Sequence, residues 1–99
     1  MATFETTARF DKDWADLDPA DRARFRKAVG NFIADLETST FRPGLRIKRV
    51  QGTDGIFEMT FAPDGRATWQ YGTELQPGRP HIIWRRIGTH DILTRPPGP

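Results

Sequence analysis

Cysteine is absent from this chain of 99 residues, and only two histidines are present. The first absence excludes a disulfide framework and any thiolate metal site. With so few imidazoles a zinc site is not expected either, and neither a metal nor another cofactor is anticipated. No apolar run approaches the roughly 20 residues of a membrane span. The N-terminus lacks the basic-then-apolar pattern of a signal peptide. The expectation is a cytoplasmic protein with no membrane partner. Internal repeats, linkers and a second domain are also missing from the pattern.

What is present is enough for one modest core. A chain of this length makes a single domain and buries roughly two-thirds of its unfolded surface. Seven Phe, three Trp and one Tyr supply bulky apolar material. The net charge of +2 is unevenly spread. Residues 1–40 hold 6 Lys/Arg against 8 Asp/Glu, whereas residues 41–99 hold 9 against 5, and eight of those nine cations are arginine. Arginine presents a planar fork suited to phosphate. A basic half in a small domain points to an anionic partner, nucleic acid first and an acidic protein second.

The first half reads as helix. Thr3 to Thr7 alternates weakly, as a short first strand would. Phe10, Trp14 and Leu17 follow at helical spacing. Asp18-Pro19-Ala20-Asp21 is a helix start: Asp18 can cap, Pro19 fits the first turn, and Asp21 favours the positive helix end. Phe25, Ala28, Val29, Phe32, Ile33 and Leu36 then form one apolar stripe over about five turns. Arg22, Arg26, Lys27 and Asp35 occupy the opposite side. The helix decays through Thr38-Ser39-Thr40 and cannot pass Pro43-Gly44.

The second half reads as strands: Leu45 to Val50, Ile56 to Ala62, Arg66 to Tyr71, and a last strand rich in β-formers from His81 to Ile87. Pro63-Asp64-Gly65 reads as a three-residue hairpin loop with the glycine at positive φ. That loop would oppose Ala62 to Arg66, Met59 to Trp69 and Phe57 to Tyr71. Phe57, Met59, Phe61, Trp69 and Tyr71 then share a core face, and Glu58, Thr60, Arg66, Thr68 and Gln70 share a polar one. The expected architecture is α+β, with two N-terminal helices on one face of a twisted, mainly antiparallel four- to five-stranded sheet. Residues 94–99 form a proline-rich tail, expected to be disordered.

The C-terminal run Trp84-Arg85-Arg86-Ile87-Gly88-Thr89-His90 carries the chemistry. It places a side chain able to titrate near neutral pH beside fixed positive charge. A site that handles phosphates and moves protons needs that pairing; a solvated strand end with a surface histidine is the plainer alternative. In an ideal strand Arg46 and Lys48 share one face and Arg49 takes the other, so one of these two sets faces a substrate. By the same period Arg85 shares the face of His81 and Ile83, and Arg86 that of Ile82 and Trp84. Glu58 reads as a charge balancing Arg66, with a second general base as the alternative. His81 has no evident chemical part. Trp84 is a candidate for stacking a base, whereas Trp69 belongs to the core.

The order of these elements resembles the RelE/ParE superfamily of small bacterial toxins over about residues 3–93, read as a single domain. The motifs are Leu-Arg-Ile-Lys-Arg-Val at 45–50, Gly-Ile-Phe at 55–57, a tight hairpin, a tyrosine strand and Ile-Gly-Thr-His at 87–90. Ala62-Pro63-Asp64 and Gly88-Thr89-His90 are most similar to the YafQ/RelE messenger-RNA interferase branch. The resemblance implies the toxin of a type II toxin–antitoxin system. Such a toxin is a ribosome-dependent mRNA endonuclease that blocks translation and is held inactive by a cognate antitoxin. It implies metal-independent cleavage, in which the ribose 2′-hydroxyl attacks the adjacent phosphorus to give a 2′,3′-cyclic phosphate and a free 5′-hydroxyl. Acid–base groups and cations meet those needs.

Carried over by position, His90 is the main acid–base candidate, and Asp64 would act as base or orient His90. Arg66 would stabilise the phosphoryl transition state. Arg46, Lys48, Arg49, Arg85 and Arg86 are the candidates for holding substrate phosphates. Asp64 is also what a Pro-Asp-Gly turn requires on its own account, and Arg66 reads equally as a partner of Glu58. The chain departs from the family where Gly65 replaces a bulky residue and where a terminal tyrosine is absent. Those departures leave open a ParE-like DNA gyrase inhibitor without catalysis, or a non-toxic nucleic-acid-binding member of the same fold.

Overall fold

The computed structural model describes residues 2–93, so the expected 94–99 tail lies outside the described residues. The elements are β1 (Thr3–Thr6), α1 (Ala8–Asp16), α2 (Pro19–Thr38), β2 (Lys48–Arg49), β3 (Ile56–Thr60), β4 (Gly65–Tyr71) and β5 (His81–Thr89). Short 3-10 turns occupy Pro43–Leu45 and His90–Leu93. The five strands form one sheet in the order β1-β5-β4-β3-β2. It is antiparallel apart from β1, which runs parallel to β5. No helix among the described residues is long and apolar enough to cross a membrane.

Both helices begin where the capping residues dictate. Thr7 accepts the Phe10 N–H at 3.1 Å and starts α1. Asp18 accepts the Asp21 N–H at 2.8 Å, with Pro19 in the first turn of α2. These bonds satisfy donors that a helix start leaves without partners. α2 ends at Ser39, which takes a left-handed conformation with φ 56°.

The expected stripe of α2 is the buried one. Phe25, Ala28, Phe32 and Leu36 pack with Phe10 of α1 against Met59, Phe61, Ala67, Trp69, Ile82, Trp84 and Ile87 of the sheet. Several aromatic edges meet faces: Phe32 with Trp69 at 4.9 Å, Phe25 with Trp84 at 5.2 Å and Phe25 with Phe61 at 5.6 Å between ring centroids. Such pairs add to the free energy of area burial. Trp84 is therefore a core side chain, buried as deeply as the rest, and is not available to stack a base.

The hairpin differs from the expected one by two residues. Thr60 opposes Arg66, Met59 opposes Ala67 and Phe57 opposes Trp69. The loop keeps three residues but sits one residue earlier, at Ala62–Asp64: the Phe61 N–H donates to the Gly65 carbonyl at 3.1 Å, the Ala62 carbonyl accepts the Gly65 N–H at 3.0 Å, and Gly65 already belongs to β4. An even shift preserves the period of two, so the core and polar faces remain as expected although every pair changes. Gly65 has no positive φ. Its role is close approach: a Cβ there would lie 2.6 Å from the Phe61 ring.

β2 is also shorter than the expected Leu45–Val50 strand. Leu45 is a buried plug in a 3-10 turn, and Arg46 takes a left-handed conformation with φ 49°. β5 runs two residues past the expected end at Ile87, to Thr89. At the other edge His81 joins β1 to β5. Its Nδ1 meets Thr3 Oγ1 at 2.7 Å and its Nε2 meets Glu5 Oε1 at 2.5 Å.

Two stability measurements follow from these contacts. Gly65→Ala forces the Phe61 ring away from Phe25, and chemical denaturation should show a loss of about 1–3 kcal/mol, the usual range for overpacking. The second concerns Asp35, whose carboxylate accepts the Arg42 backbone N–H and two guanidinium N–H groups, each at 2.9 Å. The Arg42 side-chain bonds, followed by its backbone N–H, hold the Asp35 pKa below the usual carboxylate value. A depressed folded-state pKa gives stability that is present above the ordinary pKa and disappears as pH falls through the folded one. Asp35→Asn should therefore lower stability at neutral pH, with the gap from wild type closing as the solution is acidified. A constant gap across the titration would refute this linkage.

Candidate functional site

Two adjacent arginines in the middle of β5 shape the polar side of the sheet. Trp69 pairs with Trp84, but Thr68 pairs with Arg86, which leaves Arg85 as the extra residue of a β-bulge. The bulge resets the alternation. Ile87 follows Trp84 into the core, and Arg86 does not share the face of Ile82 and Trp84 as an unbroken strand would require. Arg85 stays on the polar side, where its Nη1 donates to Gln70 Oε1 at 2.6 Å.

Arg86 reaches the free edge of β5, where Asp13 of α1 receives it. Its Nε donates to Asp13 Oδ2 at 2.9 Å and its Nη2 to Oδ1 at 3.3 Å. The same carboxylate accepts the Ile87 N–H at 3.2 Å. The side chains of Arg86 and Asp13 are only 17% and 13% exposed. Arg86, expected to hold substrate, is thus engaged in anchoring α1 to β5. Asp13 was legible in principle: it stands on the stripe of Phe10, Trp14 and Leu17, where a carboxylate requires a cation.

On the polar face a groove of about 650 Å³ brings together His90, Lys48, Arg49 and Glu58. Glu58 is buried, and its Oε1 pairs with Lys48 Nζ at 3.2 Å. Its partner is Lys48 across the ladder and not Arg66. Lys48 and Arg49 both line this groove, although alternation separates them; β2 is an edge strand of only two residues, both exposed. Arg49 has no ion pair among the described residues. His90 is exposed and opens the 3-10 turn after β5. Asp64 lies close by, its Oδ1 accepting the His90 backbone N–H at 3.4 Å, the long end of the hydrogen-bond range.

The remaining expected residues lie elsewhere. Asp64 also borders a concavity with Asp13, Asp16, Asp21, Arg24 and Arg86. Arg66 folds onto the hairpin, its Nη1 donating to the carbonyls of Gly65 at 3.0 Å, Ala62 at 3.3 Å and Pro63 at 3.4 Å. Arg66 and Arg46 line a third cleft beside α2. Arg46 is not on a strand, so it does not share a strand face with Lys48. No group of three or more His, Asp or Glu among the described residues is placed to hold a metal ion.

No family model matches the chain, and no curated protein matches it. Solved structures do. A metal-bound toxin from Helicobacter pylori is 22% identical with a TM-score of 0.63, covering 94% of this chain and 99% of that one. The YafQ toxin–antitoxin complex with DinJ from E. coli gives 17% and 0.60, covering 95% and 98%. The RelB–RelE antitoxin–toxin complex from Methanococcus jannaschii gives 15% and 0.62, covering 90% and 93%. The chain has the RelE/ParE toxin fold, with the YafQ and RelE type among its structural neighbours.

The anchoring role of Asp13 has a direct test. Asp13→Ala leaves a largely buried guanidinium and the Ile87 N–H without an acceptor. The stability loss in urea should be about 2–4 kcal/mol. Asp13→Ala combined with Arg86→Met should recover part of that loss, since no largely buried charge is then left unpaired and Arg9, the other partner of Asp13, is half exposed.

Proposed function

We propose that this chain is the toxin of a toxin–antitoxin pair and that it cleaves messenger RNA on the ribosome. The observation that carries the reading is the groove in which His90 stands beside Lys48, Arg49 and Glu58 on the polar face of a RelE/ParE-type fold. The toxin fold of the structural neighbours supports the first half of the proposal. Three of the neighbouring structures are complexes with an antitoxin, which supports a partner of that kind here.

The groove holds an imidazole, a carboxylate and two cations for the chemistry of cleavage. The reaction requires a base at the 2′-hydroxyl, an acid at the departing 5′-oxygen and cations at the phosphoryl oxygens. His90 is the acid–base group. Lys48 and Arg49 line the same groove and meet the phosphate charge. Glu58 holds Lys48 in place and is the one carboxylate of the groove. Asp64 acts as a positioning residue, because its bond goes to the His90 backbone and not to the ring. Arg66 stands outside this set, since its guanidinium caps the hairpin carbonyls.

Induction of the wild type and of His90→Ala in cells, with messenger-RNA ends mapped by primer extension, tests the proposal. Cuts inside translated codons are expected for the wild type. Loss of a general acid–base group should reduce them by at least about 100-fold. Growth arrest of equal strength in both, without cuts, would overturn the nuclease reading and direct attention to DNA gyrase.

A further inference from the structure

The two edge strands of the sheet differ in how they resist pairing with another chain. β2 presents Lys48 and Arg49, and cations on an edge deter a further strand. β1 is the other edge, built of Thr3, Phe4, Glu5 and Thr6, with no lysine, arginine or proline. Its register with β5 runs without a shift from Thr3 opposite His81 to Thr6 opposite Trp84, so no bulge turns the edge away. Among the described residues no strand lies on its outer side.

The bonds to β5 identify the backbone groups left over. The Thr3 N–H donates to the Pro80 carbonyl at 2.9 Å, and the Thr7 N–H to the Trp84 carbonyl at 3.0 Å. Alternate residues of a parallel strand turn both N–H and C=O to the same neighbour. Thr3, Glu5 and Thr7 therefore face β5, and the amides and carbonyls of Phe4 and Thr6 point away from the sheet.

The side chains select the occupant. Phe4 shares a face with its β5 neighbour Ile82, which is fully buried, yet Phe4 itself is 37% exposed. Glu5, the one charged side chain of β1, takes the opposite face and is tied to β5. A carboxylate only accepts, so the His81 Nε2–H donates to Glu5 and the ring's Nδ1 accepts from the Thr3 hydroxyl. A second β1 laid antiparallel and centred on Phe4 sets phenylalanine beside phenylalanine and Glu5 opposite Thr3, and aromatic pairs across a ladder stabilise it. Centring on Glu5 would set glutamate against glutamate, which is destabilising. Centring on Thr3 would leave Thr6 without a partner. The antiparallel pair has a twofold axis and closes, whereas a head-to-tail contact would leave further open surfaces.

We propose that two copies of this chain associate through β1, antiparallel and centred on Phe4, so that their sheets join into one. The Phe4 N–H donates to the Phe4 carbonyl of the second copy, and Thr6 pairs with Ala2. One short strand and one aromatic ring from each copy make a small interface, so the dimer dissociates on dilution. No residue of β1 lines the His90 groove, and β1 and β2 are at opposite ends of the sheet. The pairing therefore stands whatever that groove does.

Sedimentation velocity from micromolar to millimolar protein tests it. The wild type should pass from monomer to dimer as concentration rises. Phe4→Lys, which puts a cation on the edge, should weaken association at least about tenfold while keeping a cooperative thermal melt. The chain has no cysteine, so single cysteines report the register. Phe4→Cys brings two thiols to a hydrogen-bonded pair, about 5.5 Å apart at Cα and within reach of a disulfide. It should oxidise to a covalent dimer at least about tenfold faster than Thr6→Cys, whose thiols lie opposite Ala2 and far from each other. A wild type that stays monomeric at every concentration would overturn the proposal. So would association unchanged in Phe4→Lys, or a Thr6→Cys dimer that forms as fast as the Phe4→Cys dimer.

Discussion

Arg85 and Arg86 stand side by side in the longest strand of the sheet, and a strict period of two would drive one of them into a core of tryptophan and phenylalanine. Burying an unpaired guanidinium there would cost several kcal/mol. The bulge at Arg85 removes the conflict by inserting one residue into the alternation. Arg85 meets Gln70 on the polar side, Arg86 reaches Asp13 at the sheet edge, and Ile87 returns to the core. Much of the remaining arrangement depends on this. Asp13 fixes α1 against β5, and the reset strand continues to Thr89 before releasing His90.

The edges of the sheet are handled in two ways. β1 leaves β5 after Thr6, and the vacated edge is closed by Thr7, which bonds the Trp84 and Arg85 carbonyls, and by Asp13, which accepts the Ile87 N–H. Backbone groups there are satisfied by the capping segment and the first helix. On the far side β2 covers only two residues of β3. The open end that remains coincides with the most basic cleft. That cleft and the groove of His90 share no lining residue. A net charge of +2 conceals this division, because cations gather in both concavities while Asp13, Asp21 and Asp35 of the helices pair with Arg86, Arg24 and Arg42.

Most of the helical half was legible. Asp18 and Pro19 mark the start of α2, and the Phe25–Leu36 stripe marks its buried face, because both signals act within a few residues of chain. The two faces of the β3–β4 hairpin were legible for a similar reason: apolar alternation determines which side is buried, and it survives a register error of two. The pairs themselves were not legible. They depend on whether Gly65 serves the loop or the strand, and the Phe61 ring packed over it decides that. Of the candidate site, His90, Lys48 and Arg49 come together, with Glu58 as the added member. Arg66, Arg46 and Arg86 are in other hands: the hairpin carbonyls, the second cleft and Asp13.

The sequence by itself determined the α+β architecture, the helix limits at Asp18 and Ser39, the apolar stripe of α2 and the basic character of the second half. Each of these is a local or additive property of side chains along the chain. Only the tertiary structure decided which cations share a concavity, that Glu58 pairs with Lys48, and that Asp13 is the anchor of Arg86. A long side chain has several possible partners within reach of its backbone position, and the choice among them depends on a bulge, a turn and two strand edges set by packing elsewhere.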